Sequence, residues 1–310
     1  MPDDDPSPSR NSPDQSQDAP SRNQEPAADK SGRSLFSIPP PVKRIFDKFP
    51  LVTYGENELP LRAPKERNQH VLHVFASETN AREGRPSFNP ACLKWQTYLK
   101  SNGIAFKIVP SSNHASPSGA LPFLLPAVSG LEKDPVPSNK LRKWVVSQKA
   151  REKTVESEDV RYEAYASLLD NRIRKAWLFQ LYLTPANDAL LQRLYIAPCS
   201  SNYFVRMSIA YQLRGAAETE LVKSSASNTL VKDDIMRDAA GAFEALATLL
   251  GGDAWFFGQE KPGLFDAGVF AYTHLVLDDG MKWQENKLAE MVRRHTSLVR
   301  HRDRIAKAYF

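Results

Sequence analysis

The apolar and polar positions between residues 71 and 128 predict two strands joined by a helix and followed by a third strand. Residues 71–76 are mostly β-branched, aromatic or small, which favours a strand. Asn89 is a favourable helix N-cap and Pro90 suits the first helical position, and apolar residues recur behind them at helical spacing. Residues 104–109 are apolar again. A strand–helix–strand unit of this length predicts a parallel pair with a right-handed crossover.

Glycine and proline mark the limits of these elements. Asn102-Gly103 ends the predicted helix, because glycine adopts the left-handed conformation that many helix C-termini need. Leu121-Pro122 leads into a third apolar run at residues 123–128. Proline is tolerated at the start of a strand, since no ladder donor is lost there. We therefore expect the sheet to include three strands from residues 71–128.

The second half of the chain shows helical periodicity. Ser138 is a suitable N-cap for a helix over residues 139–149, and a charged connector follows it. Residues 214–229 are small and polar, which favours a loop or a weak helix end. A single last helix is expected over residues 286–309. The apolar positions of the two clearest helices in between are Tyr165, Leu168, Leu169, Ile173, Trp177 and Leu181, then Leu230, Ile235, Ala239, Phe243, Leu246 and Leu250, before Gly251-Gly252.

The first 70 residues differ in composition from the rest. Residues 1–34 are rich in Ser, Pro, Asp, Asn and Gln, and such a segment cannot bury enough apolar surface to fold, so we expect a disordered tail. The tail fits neither a mitochondrial presequence nor a secretory signal. Residues 35–70 are proline-rich yet strongly apolar, which predicts an extended arm. The arm either wraps its own domain or docks on another protein.

Charge and cysteine content narrow the classes of function. Without the tail, 37 basic and 29 acidic residues remain, a net charge of +8 that favours anionic lipid head groups or an acidic partner. No basic helix interleaved with stacking aromatics is present, so nucleic acid is not expected as a partner. No apolar run reaches membrane-spanning length. Two distant cysteines, Cys92 and Cys199, indicate a reducing compartment and no zinc module.

Several motifs give the chain a family resemblance. A strand–helix–strand unit followed by Leu121-Pro122 and an all-helical half resembles the glutathione-transferase fold, in which that Leu-Pro peptide is cis. Three features resemble the metaxin family. They are the sequence motif FFGxxKPxxxDAxVFAYxHLVL at 256–277, the motif SPSGALPFLLP at 116–126 and the C-terminal helix ending in Tyr309-Phe310. The arm motif FPLVTYGENELP resembles that of the smaller, anchor-less metaxin-like subunit of the fungal sorting and assembly machinery (SAM).

This resemblance implies an α/β thioredoxin-like N-terminal domain followed by an all-α, glutathione-transferase-like domain. The expected divisions are a disordered tail at 1–34, a docking arm at 35–70, a thioredoxin-like domain at 71–150 and an all-helical domain at 156–310. The resemblance also implies a non-enzymatic, peripheral subunit on the cytosolic face of the mitochondrial outer membrane. Such subunits bind a barrel core subunit, a second metaxin-like subunit and β-barrel precursors, whose C-terminal β-signal they recognise.

A transferase-type enzyme is one alternative, and a transferase-like scaffold of another soluble complex is a second. In cysteine-type transferases the nucleophile directly precedes the proline of the first helix, and that position here is Asn89, which supplies no thiolate. Cys92 lies inside the helix, where the helix terminus would lower its pKa or burial would make it an inert core residue. Glutathione transferases hold the amino end of glutathione with an acidic residue followed by a serine. Here these two positions are Pro137-Ser138, so the serine is kept and the acid is absent. We expect no catalytic residue, cofactor or metal ligand, since no histidine has partners at ligand spacing.

Two sets of residues are expected to bind partners. The basic C-terminal helix, otherwise a solvated face, would contact anionic lipid or an acidic loop. The arm would contact the barrel subunit. The residues concerned are Leu35, Phe36, Ile45, Phe46, Phe49 and Tyr54 in the arm, and Arg293, Arg294, Arg300 and Arg304 in the helix.

Overall fold

A computed structural model of the chain describes residues 68–127, 134–148, 159–223 and 230–310. The predicted tail, all but the last three residues of the arm and most of the connector between the two expected domains lie outside these ranges. The domain boundaries therefore stay predictions.

A four-stranded mixed sheet forms the first half of the described structure. β1 (His70–Val74), β2 (Phe106–Pro110), β3 (Phe123–Leu125) and β4 (Val136–Pro137) lie in the order β2-β1-β3-β4. β1 and β2 run parallel, as predicted, and β3 is antiparallel to both β1 and β4. The Leu121–Pro122 peptide directly before β3 is cis, as the resemblance implied.

Three helices accompany the sheet: α1 (Glu78–Arg82), α2 (Pro90–Ser101) and α3 (Ser138–Gln148). α2 begins and ends where the sequence predicts. The Asn89 side chain caps its first turn, and Gly103 follows it with a φ of +71°. α3 contains Ser138 as its first residue, one position earlier than expected.

The second half is helical. It contains α4 (Tyr162–Ser167), α5 (Arg174–Leu178), α6 (Asp188–Leu191), α7 (Tyr203–Lys223), α8 (Lys232–Leu250), α9 (Leu264–Leu277), α10 (Lys287–Arg293) and α11 (Thr296–Tyr309). π-helical turns at Leu168–Ile173, Phe179–Leu183 and Gln192–Ile196 extend α4, α5 and α6, and short 3₁₀ turns lie at Asn113–Ala115, Pro185–Asn187, Phe256–Gly258 and Asp279–Met281.

α9 is the helix on which both halves pack. Every residue from Leu264 to Val276 is buried, which is the environment that a helix apolar on all sides requires. α9 contacts α2 of the first half and α10, α11 and the π-helical turn Leu168–Ile173 of the second. At Gly268 the approach is so close that an added Cβ would lie 2.8 Å from Leu169 Cδ2.

One open alternative is resolved and one prediction is wrong. Residues 214–229 were expected to form a loop or a weak helix end, and residues 214–223 are the end of α7, because Ala216, Ala217 and Leu221 sustain the helix and two of them are buried. The last helix is not continuous, since α10 ends at Arg293 and α11 begins at Thr296. Val292 and Leu298 are six residues apart and would point about 120° apart on one straight helix, and the break lets both be buried.

Candidate functional site

The N-terminus of α2 is where the resemblance places the reactive sulfur of a transferase. Here the Asn89 side chain uses both ends of its amide. Its Oδ1 accepts a hydrogen bond from the Cys92 amide at 3.2 Å, and its Nδ2 donates to the Tyr195 hydroxyl at 3.1 Å. The backbone N–H of Asn89 donates to Ser87 Oγ at 3.2 Å. The Asn89 side chain therefore caps the N-terminus of α2, and the Tyr195 hydroxyl lies beside it.

An aromatic cluster surrounds this position and joins the two halves of the fold. It consists of Phe75 after β1, Phe88 before α2, and Tyr182 and Tyr195 from the helical half. The Tyr195 ring lies 5.3 Å from Phe75, 5.2 Å from Phe88 and 6.0 Å from Tyr182 between centroids, and Tyr195 is only 8% exposed. Burial raises the pKa of Tyr182 to about 12 and the pKa of Tyr195 well above its usual value. Both hydroxyls stay neutral, so this junction is an uncharged, aromatic contact.

Cys92 is a residue of α2 whose side chain lies in the core. Its side chain is completely buried among residues of the sheet and of α2. Burial raises the pKa of its thiol to about 12, and hydrogen bonds with the Phe75 backbone and with Ser87 offset this only in part. The structure thus places Cys92 in the core, where burial disfavours the thiolate form. The other cysteine, Cys199, is exposed.

Three of the six histidines make structural hydrogen-bond contacts. His70 Nδ1 accepts from the Ala127 amide at 2.8 Å, and His73 Nδ1 lies 2.7 Å from Ser111 Oγ. His301 Nε2 lies 2.9 Å from Asp266 Oδ1. Among the described residues, no group of three or more His, Cys, Asp and Glu side chains could hold a metal ion.

Asp266, at the start of α9, is the centre of a buried hydrogen-bond network. Its Oδ1 accepts from the Phe256 amide at 3.0 Å and contacts His301, and its Oδ2 accepts from the Gly263 amide at 2.9 Å. The Asp266 carboxylate thus returns to the backbone of the N-cap residue Gly263, as the acid of a capping box does. One carboxylate joins the 256–258 turn, α9 and α11.

The four arginines predicted to bind partners are all exposed. They do not form one continuous helical face. Arg293 is the last residue of α10 and Arg294 directly follows it, whereas Arg300 and Arg304 lie on α11. Arg304 is also engaged locally. Its guanidinium donates to the Ala254 carbonyl and lies 5.2 Å from the Trp255 ring centroid. The six predicted arm residues lie outside the described residues.

One surface was missed by reasoning from the sequence. Of the nine large apolar side chains that are exposed in the described part of the chain, five lie between residues 203 and 211 on α7. They are Tyr203, Phe204, Val205, Met207 and Tyr211. The signal that could have revealed them is the aromatic pair Tyr203-Phe204 at a helix start, but no helix start was predicted at residue 203.

Three family models match parts of the chain. The glutathione S-transferase N-terminal domain matches residues 90–187, and the glutathione S-transferase C-terminal domain matches residues 239–305. A third model, described as SAM35, a subunit of the SAM complex, matches residues 36–94. No curated protein matches the chain.

Solved glutathione transferases resemble the structure at low sequence identity. The enzyme CsGST83044 of Ceriporiopsis subvermispora, solved with glutathione, shares 15% identity with a TM-score of 0.50, over 78% of this chain and 98% of that one. GSTFuA3 of Phanerochaete chrysosporium shares 14% identity with a TM-score of 0.46, over 75% and 98%. The Populus trichocarpa transferase F2 shares 11% identity with a TM-score of 0.44, over 77% and 95%.

The chain therefore has the glutathione-transferase fold, with a thioredoxin-like domain that contains the mixed sheet and a helical domain after it. The SAM35 match at residues 36–94 adds a similarity to a SAM subunit, which the transferase fold alone does not indicate. Together, the three matches fit a metaxin-like subunit of the SAM complex built on the transferase fold. Within the described residues, none of the helices is both long and apolar enough to cross a membrane.

Proposed function

We propose that the chain is a non-enzymatic, peripheral subunit of the sorting and assembly machinery of the mitochondrial outer membrane, on its cytosolic face. It binds the barrel core subunit and a second metaxin-like subunit. With them it receives β-barrel precursors through their β-signal for folding and membrane insertion.

The observation that carries this proposal is the SAM35 match at residues 36–94. It spans the apolar, proline-rich arm, β1, α1 and the first turn of α2. The arm is the part of the chain that a transferase scaffold does not need. A match that includes the arm supports a SAM role through residues that the fold alone does not require.

The site at α2 supports a role without glutathione chemistry. Asn89 stands at the nucleophile position, and Tyr195 is bound to its amide. The one cysteine in α2 has a pKa of about 12. A glutathione-dependent enzyme needs a group that stabilises a thiolate at the helix terminus, and these residues provide a cap and an aromatic contact instead.

The arm is the proposed contact with the barrel subunit, through Leu35, Phe36, Ile45, Phe46, Phe49 and Tyr54. Proline-rich, apolar segments lose little conformational entropy on docking and bury aromatic anchors well. Arg293, Arg294, Arg300 and Arg304 are the proposed contact with an acidic loop or with anionic lipid, and Arg304 contributes less because it is held by Trp255.

Deletion of residues 35–54 tests this division of roles. We expect the deletion variant to keep the circular dichroism and the thermal unfolding of the intact chain, yet to lose co-purification with the barrel subunit. Deletion of residues 1–34, which removes the tail and keeps the arm, is the matched control and should keep the barrel partner. Retention of the barrel partner without residues 35–54 would assign its binding to another surface.

A further inference from the structure

The exposed apolar residues of α7 form a compact aromatic surface, which we call the α7 tip: Tyr203, Phe204, Val205, Met207 and Tyr211. Tyr203, Phe204 and Tyr211 are 69%, 78% and 72% exposed. Residues 203, 207 and 211 follow one another at a spacing of about one turn, so they lie along one side of the helix. In the described part of the chain, this is the largest concentration of exposed apolar side chains.

The α7 tip is held in an ordered conformation. Asn202 Oδ1 accepts hydrogen bonds from the Phe204 amide at 2.9 Å and from the Val205 amide at 3.3 Å. The Tyr203 and Phe204 rings contact each other edge to face, with centroids 5.8 Å apart. Further along, Ala210, Ala217 and Leu221 are buried and fix the helix to the body. The aromatic side chains are thus presented on a rigid element.

α7 lies between the two family-model matches. The transferase N-terminal model ends at residue 187 and the C-terminal model begins at residue 239. Neither match therefore assigns a role to the five exposed apolar side chains.

The charges nearest the α7 tip along the chain are positive. No Asp or Glu occurs from residue 189 to residue 217, and Arg193 and Arg206 lie in that stretch. Arg214 also lies there, but it is paired with Asp188 at 2.7 Å. α7 packs against Arg174–Leu178, Phe179–Leu183 and Gln192–Ile196, and none of these three elements contains an acidic residue. The acids of α7, Glu218 and Glu220, lie some 20–25 Å away along the helix from its first turn. The partial positive charge of the helix N-terminus has the same sign.

We propose that the α7 tip inserts into the interface of a phospholipid bilayer that carries anionic head groups. Tyr favours the head-group level of a membrane, because its apolar ring ends in a polar hydroxyl. Phe is among the residues that form the inserted apolar face of interfacial helices. Membrane binding by such a surface grows with the apolar area inserted and with attraction of nearby cations to anionic lipid. Since residues 189–217 contain no acid and Asp188 is paired with Arg214, little repulsion from an anionic membrane is expected at these aromatics.

This proposal rests on the proposed function only in placing the protein at a membrane. It assigns the membrane contact to α7, which is separate from the arm and from the arginines of α10 and α11. A chain held by its barrel partner would gain a second attachment point and a fixed orientation on the lipid surface, since two attachments raise the effective concentration of each.

Flotation of the purified full-length chain with lipid vesicles tests the proposal without any SAM component. We expect binding to phosphatidylcholine vesicles that contain phosphatidylserine, and weaker binding to phosphatidylcholine alone or at high salt. The double variant Tyr203→Ser/Phe204→Ser should lose roughly tenfold or more of the binding to the mixed vesicles. The matched control, Val160→Ser/Val231→Ser, removes two exposed apolar side chains elsewhere and should bind like the intact chain.

A second variant reports insertion directly. Phe204→Trp keeps an aromatic ring, so it should bind the vesicles, and its added fluorescence should shift to the blue and be quenched by brominated lipid. Absence of vesicle binding by the intact chain, or equal binding by Tyr203→Ser/Phe204→Ser, would overturn the proposal. The same double variant in a pull-down separates this result from the proposed function. Loss of a protein partner with unchanged vesicle binding would assign the α7 tip to protein docking instead.

Discussion

At the scale of single residues, the position that would be reactive in a transferase is built for packing. Asn89 provides a helix cap and holds the Tyr195 hydroxyl, so its polar atoms are already used. Cys92 lies one turn further into the helix, and its burial outweighs any stabilisation of a thiolate by the helix terminus. A change of one residue, such as Asn89→Cys, would still leave Tyr195 beside the new sulfur.

The contrast between the two cysteines gives a direct test. At neutral pH, a disulfide reagent that reports on free thiols should label Cys199 quickly in the folded chain, because that side chain is exposed. Cys92 should react only after denaturation, since it is fully buried and its pKa is about 12. We expect one fast equivalent per chain, which Cys199→Ser removes and Cys92→Ala leaves. Two fast equivalents would mean that Cys92 is accessible and that the α2 site is open.

At the scale of secondary-structure elements, α9 connects the two domains and Asp266 fixes its start. The carboxylate is almost completely buried and serves the Phe256 amide, the Gly263 amide and His301. Loss of these acceptors would leave buried donors unpaired, which is among the more costly changes that a single substitution makes.

Replacement of Asp266 measures the strength of this connection. Asp266→Ala should lower the free energy of unfolding by about 3–5 kcal/mol, because it leaves the two amides and His301 without their partner. Asp266→Asn keeps the side-chain volume and one acceptor oxygen, so its loss should be smaller. Urea unfolding followed by circular dichroism gives both values. A loss below about 1 kcal/mol for Asp266→Ala would contradict the role given to this network.

At the scale of the whole molecule, local signals in the sequence predicted most of the fold. Runs of apolar residues located β1, β2 and β3, and Asn89, Pro90 and Gly103 marked α2 correctly. The stretch that forms α9 was noted in the sequence for its family motif at 256–277, and its complete burial became evident in the structure. The break between α10 and α11 was missed, because only tertiary packing decides that Val292 and Leu298 face the same core.

The candidate site was predicted less completely than the fold. The sequence identified Asn89 and Cys92, but Tyr195 is 106 residues from Asn89, and no local pattern reveals a hydrogen bond over that distance. Likewise, the α7 tip was missed because exposure depends on what the helix packs against. The predicted contacts of the arm remain predictions, since its six residues lie outside the described ranges.

The central claim is that this transferase-like chain is a SAM subunit, and affinity purification of the intact, tagged chain tests it most directly. The chain is isolated from gently solubilised mitochondria, its partners are identified by mass spectrometry, and retention on a glutathione column is scored in parallel. The account predicts co-purification of a β-barrel membrane protein and no specific retention on the column. Retention with conjugating activity, and no barrel protein among the partners, would contradict it.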